Sequence, residues 1–127
     1  MKKKILIIDD SKPILTLLHV ILNKKYEVMA ASNAFDAMSW LNGGNSPDMI
    51  ISDLQMPEID GWEFIENLRT SFIYDNIPII VLSGLPSKDM EVQCRMHGIN
   101  DYVQKPFDPV ILLEKINEIF FKKYATT

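Results

Sequence analysis

The tetrapeptide Ile5-Leu6-Ile7-Ile8 is apolar at every position and stops on two adjacent acids, Asp9 and Asp10. Three later stretches share that character: "DMIIS" over 48–52 before Asp53, "PIIVLS" over 78–83 before Gly84, and the shorter "YVQ" over 102–104 before Lys105-Pro106. "YEVMAA" over 26–31 is a fifth candidate strand, nearer an edge. Short runs rich in Ile and Val and bounded by Asp, Pro or Gly are strand signals. A strand with one wet face alternates apolar and polar residues. These do not, as is typical of parallel strands covered by helices on both faces.

Helix-period stretches lie between the strands. "PILTLLHVILNKK" (13–25) puts Ile14, Leu17, Leu18 and Ile21 on one face, with Pro13 suited to a first turn. "AFDAMSWLN" (34–42) gathers Ala34, Ala37, Met38 and Leu41 and is stopped by Gly43-Gly44. "GWEFIENLRTSF" (61–72) aligns Phe64, Ile65 and Leu68. "SKDMEVQCRMHG" (87–98) runs from a Ser87 cap to Gly98. "DPVILLEKINEIFFKKY" (108–124) opens on Asp108-Pro109 and closes on Lys122 and Lys123, which suit the negative end of the helix dipole.

The order is therefore β-α repeated five times. Right-handed crossovers make that an α/β fold: a doubly wound, five-stranded parallel sheet with helices on both faces. A length of 127 residues fits one domain. The chain ends just after the fifth helix, so a single domain over 1–127 with no output domain is expected.

A net charge of −4 argues against direct nucleic-acid binding, which calls for a basic surface. Cys94 is the only cysteine, which leaves no disulfide framework and fits a reducing cytosol. The opening "MKKKILIIDD" has too short an apolar run for a signal peptide, and no run is long enough to span a bilayer. A cytoplasmic protein without membrane insertion is expected.

Ligands of such sheets bind beyond the carboxyl ends of the strands. Asp9, Asp10, Asp53, Ser83 and Lys105 all stand at strand ends. Paired acids before a helix can simply be caps or dipole partners. If the first and third strands are neighbours, however, three carboxylates converge with a hydroxyl and an ammonium alongside. An oxygen-only donor set suits Mg²⁺, and a metal with a lysine facing an aspartate is equipment for phosphoryl transfer.

The set "DD … D-L-Q-M-P-x-x-D-G … S-G … K-P-F" resembles the receiver domain of two-component response regulators, and in length the single-domain, CheY-like chemotaxis regulators. The resemblance covers essentially the whole chain and implies a flavodoxin-like (βα)5 fold with strand order 2-1-3-4-5. It implies Asp53 as phosphoacceptor, Asp10 and Asp53 as direct Mg²⁺ ligands, Asp9 as the acid that assists through water, and Gln55 as the residue whose backbone carbonyl completes the metal shell. Ser83 matches the hydroxyl that moves to the phosphoryl group, Lys105 the lysine that pairs with it, and Tyr102 the aromatic switch. Lys105-Pro106 is expected to be cis, and Met56-Pro57 with Gly61 to form the turn into the third helix. The implied partners are a sensor histidine kinase or histidine phosphotransfer protein and a downstream effector protein, with a monomer or a phosphorylation-dependent dimer as the assembly.

There are departures from the family pattern. Gly84 replaces a common Ala, and Ala34 a usual Gly. Leu85, two residues past Ser83, cannot hydrogen-bond a hydrolytic water, so slow self-dephosphorylation is expected, with the Gln55 amide a possible offset. Three rival readings stand beside the switch: a phosphorelay intermediate passing its phosphoryl group on to a histidine, a small Mg²⁺-dependent aspartyl phosphohydrolase, and a degenerate receiver that binds partners unphosphorylated. The hydrolase calls for a second acid two residues past the nucleophile, where this chain has Gln55. The degenerate receiver calls for a lost acceptor, acid or lysine, and none is lost. Simpler structural roles are available for single residues: a backbone-bonding loop acid for Asp53, a loop cap for Ser83, packing for Tyr102 and Cys94, and structural or exposed positions for His19 and His97. Phe120, Phe121 and Tyr124 are expected to divide between core and a partner face.

Overall fold

The computed structural model describes residues 2–55, 61–85 and 87–125, apart from the side chains of 87, 124 and 125. The elements run β1 (Lys4–Ile8), α1 (Lys12–Leu22), β2 (Glu27–Ala31), α2 (Ala34–Asn42), β3 (Met49–Asp53), α3 (Gly61–Arg69), β4 (Ile79–Ser83), α4 (Ser87–His97), β5 (Asp101–Gln104) and α5 (Pro109–Ala125). All four strand pairings are parallel, in the order β2-β1-β3-β4-β5. The expected doubly wound sheet is the one found. The Met56-Pro57 turn and the side chains of Ser87 and Tyr124 lie outside the described residues.

The unbroken apolar runs have the reason the sequence suggested. Along β1, Leu6 and Ile8 pack with α2, α3 and α4, while Ile5 and Ile7 pack with α1 and α5. Ile79 and Val81 of β4 face the first layer, and Ile80 and Leu82 the second. Successive strand residues point to opposite faces, so only a strand covered twice needs every position apolar. Each fully buried Ile or Leu contributes roughly 1.5–3 kcal/mol, which makes this double layer the main stabilising term.

Three helix assignments need correction, the first being that α1 stops at Leu22 with Asn23 as its cap rather than running to 25. Leu17 was expected on the buried face of α1, yet it is 44% exposed, while Leu18 and Leu22 are fully buried. One residue is a turn of about 100°, so Leu17 is carried to the flank once Leu18 points inward. Helix α3 ends at Arg69 rather than at 72. The Arg69 guanidinium donates to the carbonyls of Asp75, Ile77 and Gly98 at 2.9–3.0 Å, folding the following loop back beneath the helix. Of the last-helix aromatics, Phe120 is buried and Phe121 exposed.

Gly61 begins α3 and donates its N–H to the Leu54 carbonyl at 3.2 Å. A Cβ there would lie 2.6 Å from the Leu54 Cα and 2.7 Å from its carbonyl oxygen, so only glycine fits without moving the backbone next to Asp53. Gly84, by contrast, has no atom within 4 Å of a built Cβ. Gly61→Ala is therefore expected to cost about 1–3 kcal/mol in urea melts, an overpacking cost, whereas Gly84→Ala is expected to stay within about 0.5 kcal/mol. Equal effects of the two substitutions would contradict this reading.

Candidate functional site

The carboxyl ends of β1, β3, β4 and β5 bring the site together through their register. Ile8 lies level with Ser52, Asp53 with Leu82, and Ser83 with Gln104, so the residue after each pair projects from the same edge. Asp9 continues β1 by donating its N–H to the Ala31 carbonyl at 3.2 Å. Lys105 N–H donates to the Ser83 carbonyl at 2.7 Å, which fixes the last strand end against the fourth. The Lys105-Pro106 bond is cis, as expected.

Asp9 and Asp53 are buried and Asp10 is exposed, yet each offers a carboxylate oxygen within 4.8 Å of the others. Lys105 Nζ sits 3.2 Å from Asp9 Oδ2 and 3.2 Å from Asp53 Oδ1. The paired acids do not cap α1. Ser11 is the cap, accepting the Ile14 N–H at 3.4 Å, while Asp9 Oδ1 accepts the Ser11 N–H at 2.9 Å. Among the described residues, Asp10 has no ion pair, and its carboxylate remains available to a ligand.

Burial pushes the Asp9 carboxyl above its ordinary 3.8; the neighbouring Asp53 charge adds to this, while the Ser11 N–H and Lys105 oppose it. For Lys105, burial acts to lower the pKa from 10.5, but the two carboxylates outweigh it and the net shift is upward. Three carboxylates gathered around one ammonium leave the pocket with more negative charge than Lys105 neutralises. A hard divalent cation fits that excess: the donors are all oxygens, and Mg²⁺ takes few protein ligands and keeps water on the rest.

The other expected residues are close by, with one exception. A cleft of about 230 Å³ beside the acids is lined by Asp53, Gln55, Ser83, Gly84 and Leu85, together with Trp62. Gln55 donates its N–H to Asp53 Oδ1 at 3.2 Å, and Ser83 Oγ accepts the Leu85 N–H at 2.9 Å. Asp53 and Ser83 thus each accept a loop N–H in this state, as the simpler readings had it, and both still line the cleft. Tyr102 is not brought to the acids. It pairs with Val81, is half-buried against the α2–α3–α4 layer, and has Lys115 Nζ 5.4 Å from its ring centroid.

Sequence reasoning missed Trp62. Its ring walls the cleft and stacks on His97 at 4.6 Å between centroids, with His97 Nδ1 3.5 Å from Glu66 Oε2. Its place one residue after Gly61 at a helix start was the available signal, since that puts it next to the strand end carrying Asp53.

A family model described as "Response regulator receiver domain" matches residues 5–117. The chain belongs to that family. Over 118 residues the receiver domain is 28% identical to a chemotaxis protein CheY homolog of Campylobacter jejuni, covering 91% of each chain. It is 29% identical over 126 residues to hybrid signal transduction histidine kinase D of Dictyostelium discoideum, spanning 98% of this chain but only 8% of that protein. The solved structure of the chemotaxis response regulator CheY4 of Vibrio cholerae superposes with a TM-score of 0.86 at 29% identity, covering 94% of this chain and 99% of that one. The fold and the CheY-like, two-component signalling class of this receiver domain follow.

The raised Asp9 value has a sign that can be measured. An acid whose folded pKa exceeds its unfolded value favours folding most at and below the unfolded value, here 3.8, and loses that contribution as pH rises through the folded value. At pH 7 ionised Asp9 therefore costs stability. Asp9→Asn is expected to raise the melting temperature at about pH 7 in metal-free buffer, with a gain that shrinks toward about pH 4. A gain that grew on acidification would run against the assignment.

Proposed function

We propose that this chain is a stand-alone response regulator that takes a phosphoryl group onto Asp53 from a phosphohistidine donor and signals through a change of conformation. The observation that carries the reading is the buried Asp53 carboxylate held 3.2 Å from Lys105 at the meeting of three acids. An Asp53 oxygen attacks phosphorus as the P–N bond of the donor breaks, and the imidazole leaves with its electron pair and takes up a proton. Lys105 holds a phosphoryl oxygen, having exchanged part of its contact with Asp53 for it.

Asp10 and Asp53 would bind Mg²⁺ directly, Asp9 through water, and the Gln55 backbone carbonyl would complete the protein ligands. The ion supplies charge neutralisation for the phosphoryl oxygens. Ser83 leaves the Leu85 N–H to meet the phosphoryl group, and Tyr102 responds on the neighbouring strand. The surface of α4, β5 and α5 then changes for an effector protein, as a monomer or through a dimer formed on phosphorylation. That the matched segment makes up 91% of the Campylobacter jejuni homolog favours the stand-alone reading. Self-catalysed phosphorylation and dephosphorylation are the only chemistry assigned, because Gln55 stands where a phosphohydrolase would carry its second acid.

The match to a segment of a hybrid histidine kinase favours, as a second reading, onward transfer to another histidine. Both readings share Asp53 as acceptor and a cytoplasmic place; no helix among the described residues is long and apolar enough to cross a membrane.

Incubation with acetyl phosphate and Mg²⁺ is expected to add one phosphoryl group by intact mass, and none in Asp53→Ala or with EDTA. A folded, Mg²⁺-binding protein that stays unlabelled would return the choice to a degenerate receiver. Leu85 is 41% exposed on the cleft and offers an attacking water no hydrogen bond. Once the adduct is formed, Leu85→Glu is expected to lose it faster than the native protein. The opposite order of lifetimes would remove Leu85 as the cause of slow hydrolysis.

A further inference from the structure

The end of the molecule opposite the acids has a different character. In an all-parallel sheet the amino ends of the strands and the carboxyl ends of the helices gather there. The chain places Lys2, Lys3 and Lys4 at the start of β1, Lys24 and Lys25 after α1, and Lys122 and Lys123 in the last turn of α5. These seven are more than half of the 13 basic residues in a chain of net charge −4. The carboxylates at this end include Glu27, Asp48, Asp75, Asp101 and Glu118, fewer than the lysines; Asp101 pairs with Lys115 at 2.8 Å, and Glu118 pairs with one of the seven, Lys122, at 3.0 Å.

Helix dipoles explain part of this. Lys2 Nζ reaches the Asn23 carbonyl just past α1, and one or two cations at each helix end suit the dipole. They do not explain the neighbouring loop. Phe72 and Ile73 project from the turn between α3 and β4 with 101% and 78% of their surface exposed. The turn is held firmly: Tyr74 is buried with its hydroxyl donating to the Leu41 carbonyl at 2.9 Å, and Arg69 holds the Asp75 and Ile77 carbonyls. It is also continuous with the lysines, because Lys123 Nζ donates to the Asn76 carbonyl at 3.5 Å. A depression of about 520 Å³ lined by Lys2, Lys3, Lys25, Tyr26, Asn117 and Phe120 lies at the same end.

We propose that this end is a docking face for an anionic lipid bilayer, with the lysines on headgroup phosphates and Phe72 and Ile73 in the headgroup boundary. Three features favour a bilayer over a protein. The lysines come from three separate elements and spread across the end, which suits a delocalised negative surface. The apolar pair projects outward, where a protein-binding groove would recess it. Charge and apolar insertion together are the two signals that stable surface binding needs. The separation of charge also orients the molecule, because Asp9, Asp10 and Asp53 at the far end are repelled from the same surface. The phosphoacceptor edge would then face solution.

The test is co-sedimentation of the full chain with vesicles of phosphatidylcholine containing about 30% phosphatidylserine, beside pure phosphatidylcholine, at about 0.05 M and about 0.5 M salt. Binding is expected to the anionic vesicles alone and to fade at high salt. Lys2→Glu/Lys25→Glu should weaken it by at least about tenfold, and Phe72→Ser/Ile73→Ser by at least about threefold, with both variants folded by circular dichroism. Failure of the native protein to sediment with anionic vesicles at low salt would overturn the proposal. So would binding indifferent to Phe72 and Ile73 and matched on polyglutamate, which would mark a general polyanion surface instead.

Discussion

Lys105 Nζ stands 3.2 Å from a buried oxygen of Asp9 and 3.2 Å from one of Asp53, and the organisation of the carboxyl edge depends on holding those three charges in place. At an effective dielectric near 20, each contact is worth about 5 kcal/mol of gross attraction, and removing the charges from water offsets much of it. The direction of the Asp9 shift says which side wins there: the carboxylate is still costly to bury. The arrangement survives because the double-sided Ile and Leu core supplies far more stabilisation than the acids take away. It also stays receptive, since any further positive charge placed among the acids relieves a cost already present in the fold.

Geometry turns that charge excess into a site. Parallel strands deliver their carboxyl ends to one edge, and the register sets how far each side chain projects. Gly61 then pins the chain beyond Asp53 by letting α3 approach the Leu54 backbone more closely than any side chain would allow. The Ser83 carbonyl, bonded to the Lys105 N–H, sets the lysine's base with the same economy. Asp53 and Lys105 are thus fixed through backbone contacts, and their side chains need no further scaffolding to meet.

Much of this was legible in the sequence, for specific reasons. Uninterrupted apolar strands declared a sheet covered on both faces, and acids, serine and lysine placed just beyond those strands declared the edge where they meet. What was not legible depends on rotation and on distant contacts. The period of α1 put Leu17 inside beside Leu18 and left Leu22 out, because an apolar stripe can be centred one residue either way, and only packing against the sheet centres it on Leu18 and Leu22. The end of α3 was missed because Arg69 bonds carbonyls far along the chain, in 75, 77 and 98, which no local pattern records. Trp62 was missed since its role comes from stacking on His97 of another helix. Tyr102 lies on β5 half-buried against the α2–α3–α4 layer, a setting that serves packing and a change of rotamer alike.

The small hydrogen bonds at the cleft matter most for switching. Ser83 Oγ holds the Leu85 N–H, and Asp53 Oδ1 holds the Gln55 N–H, so two of the groups that would meet a phosphoryl group are occupied by their own loops. Each such bond contributes about 1 kcal/mol net, enough to bias a resting loop but not to lock it. Moving a two-state domain from 1:99 to 99:1 takes about 5.5 kcal/mol of differential binding. Breaking the Ser83 bond consumes only a fraction of that, and a phosphoryl group newly bonded to Lys105 and Ser83 can supply the rest through charge-assisted contacts. A resting state tied by weak local bonds, beside a strongly charged acceptor, is therefore what the proposed switch requires: stable without the phosphoryl group, and outweighed by it once it arrives.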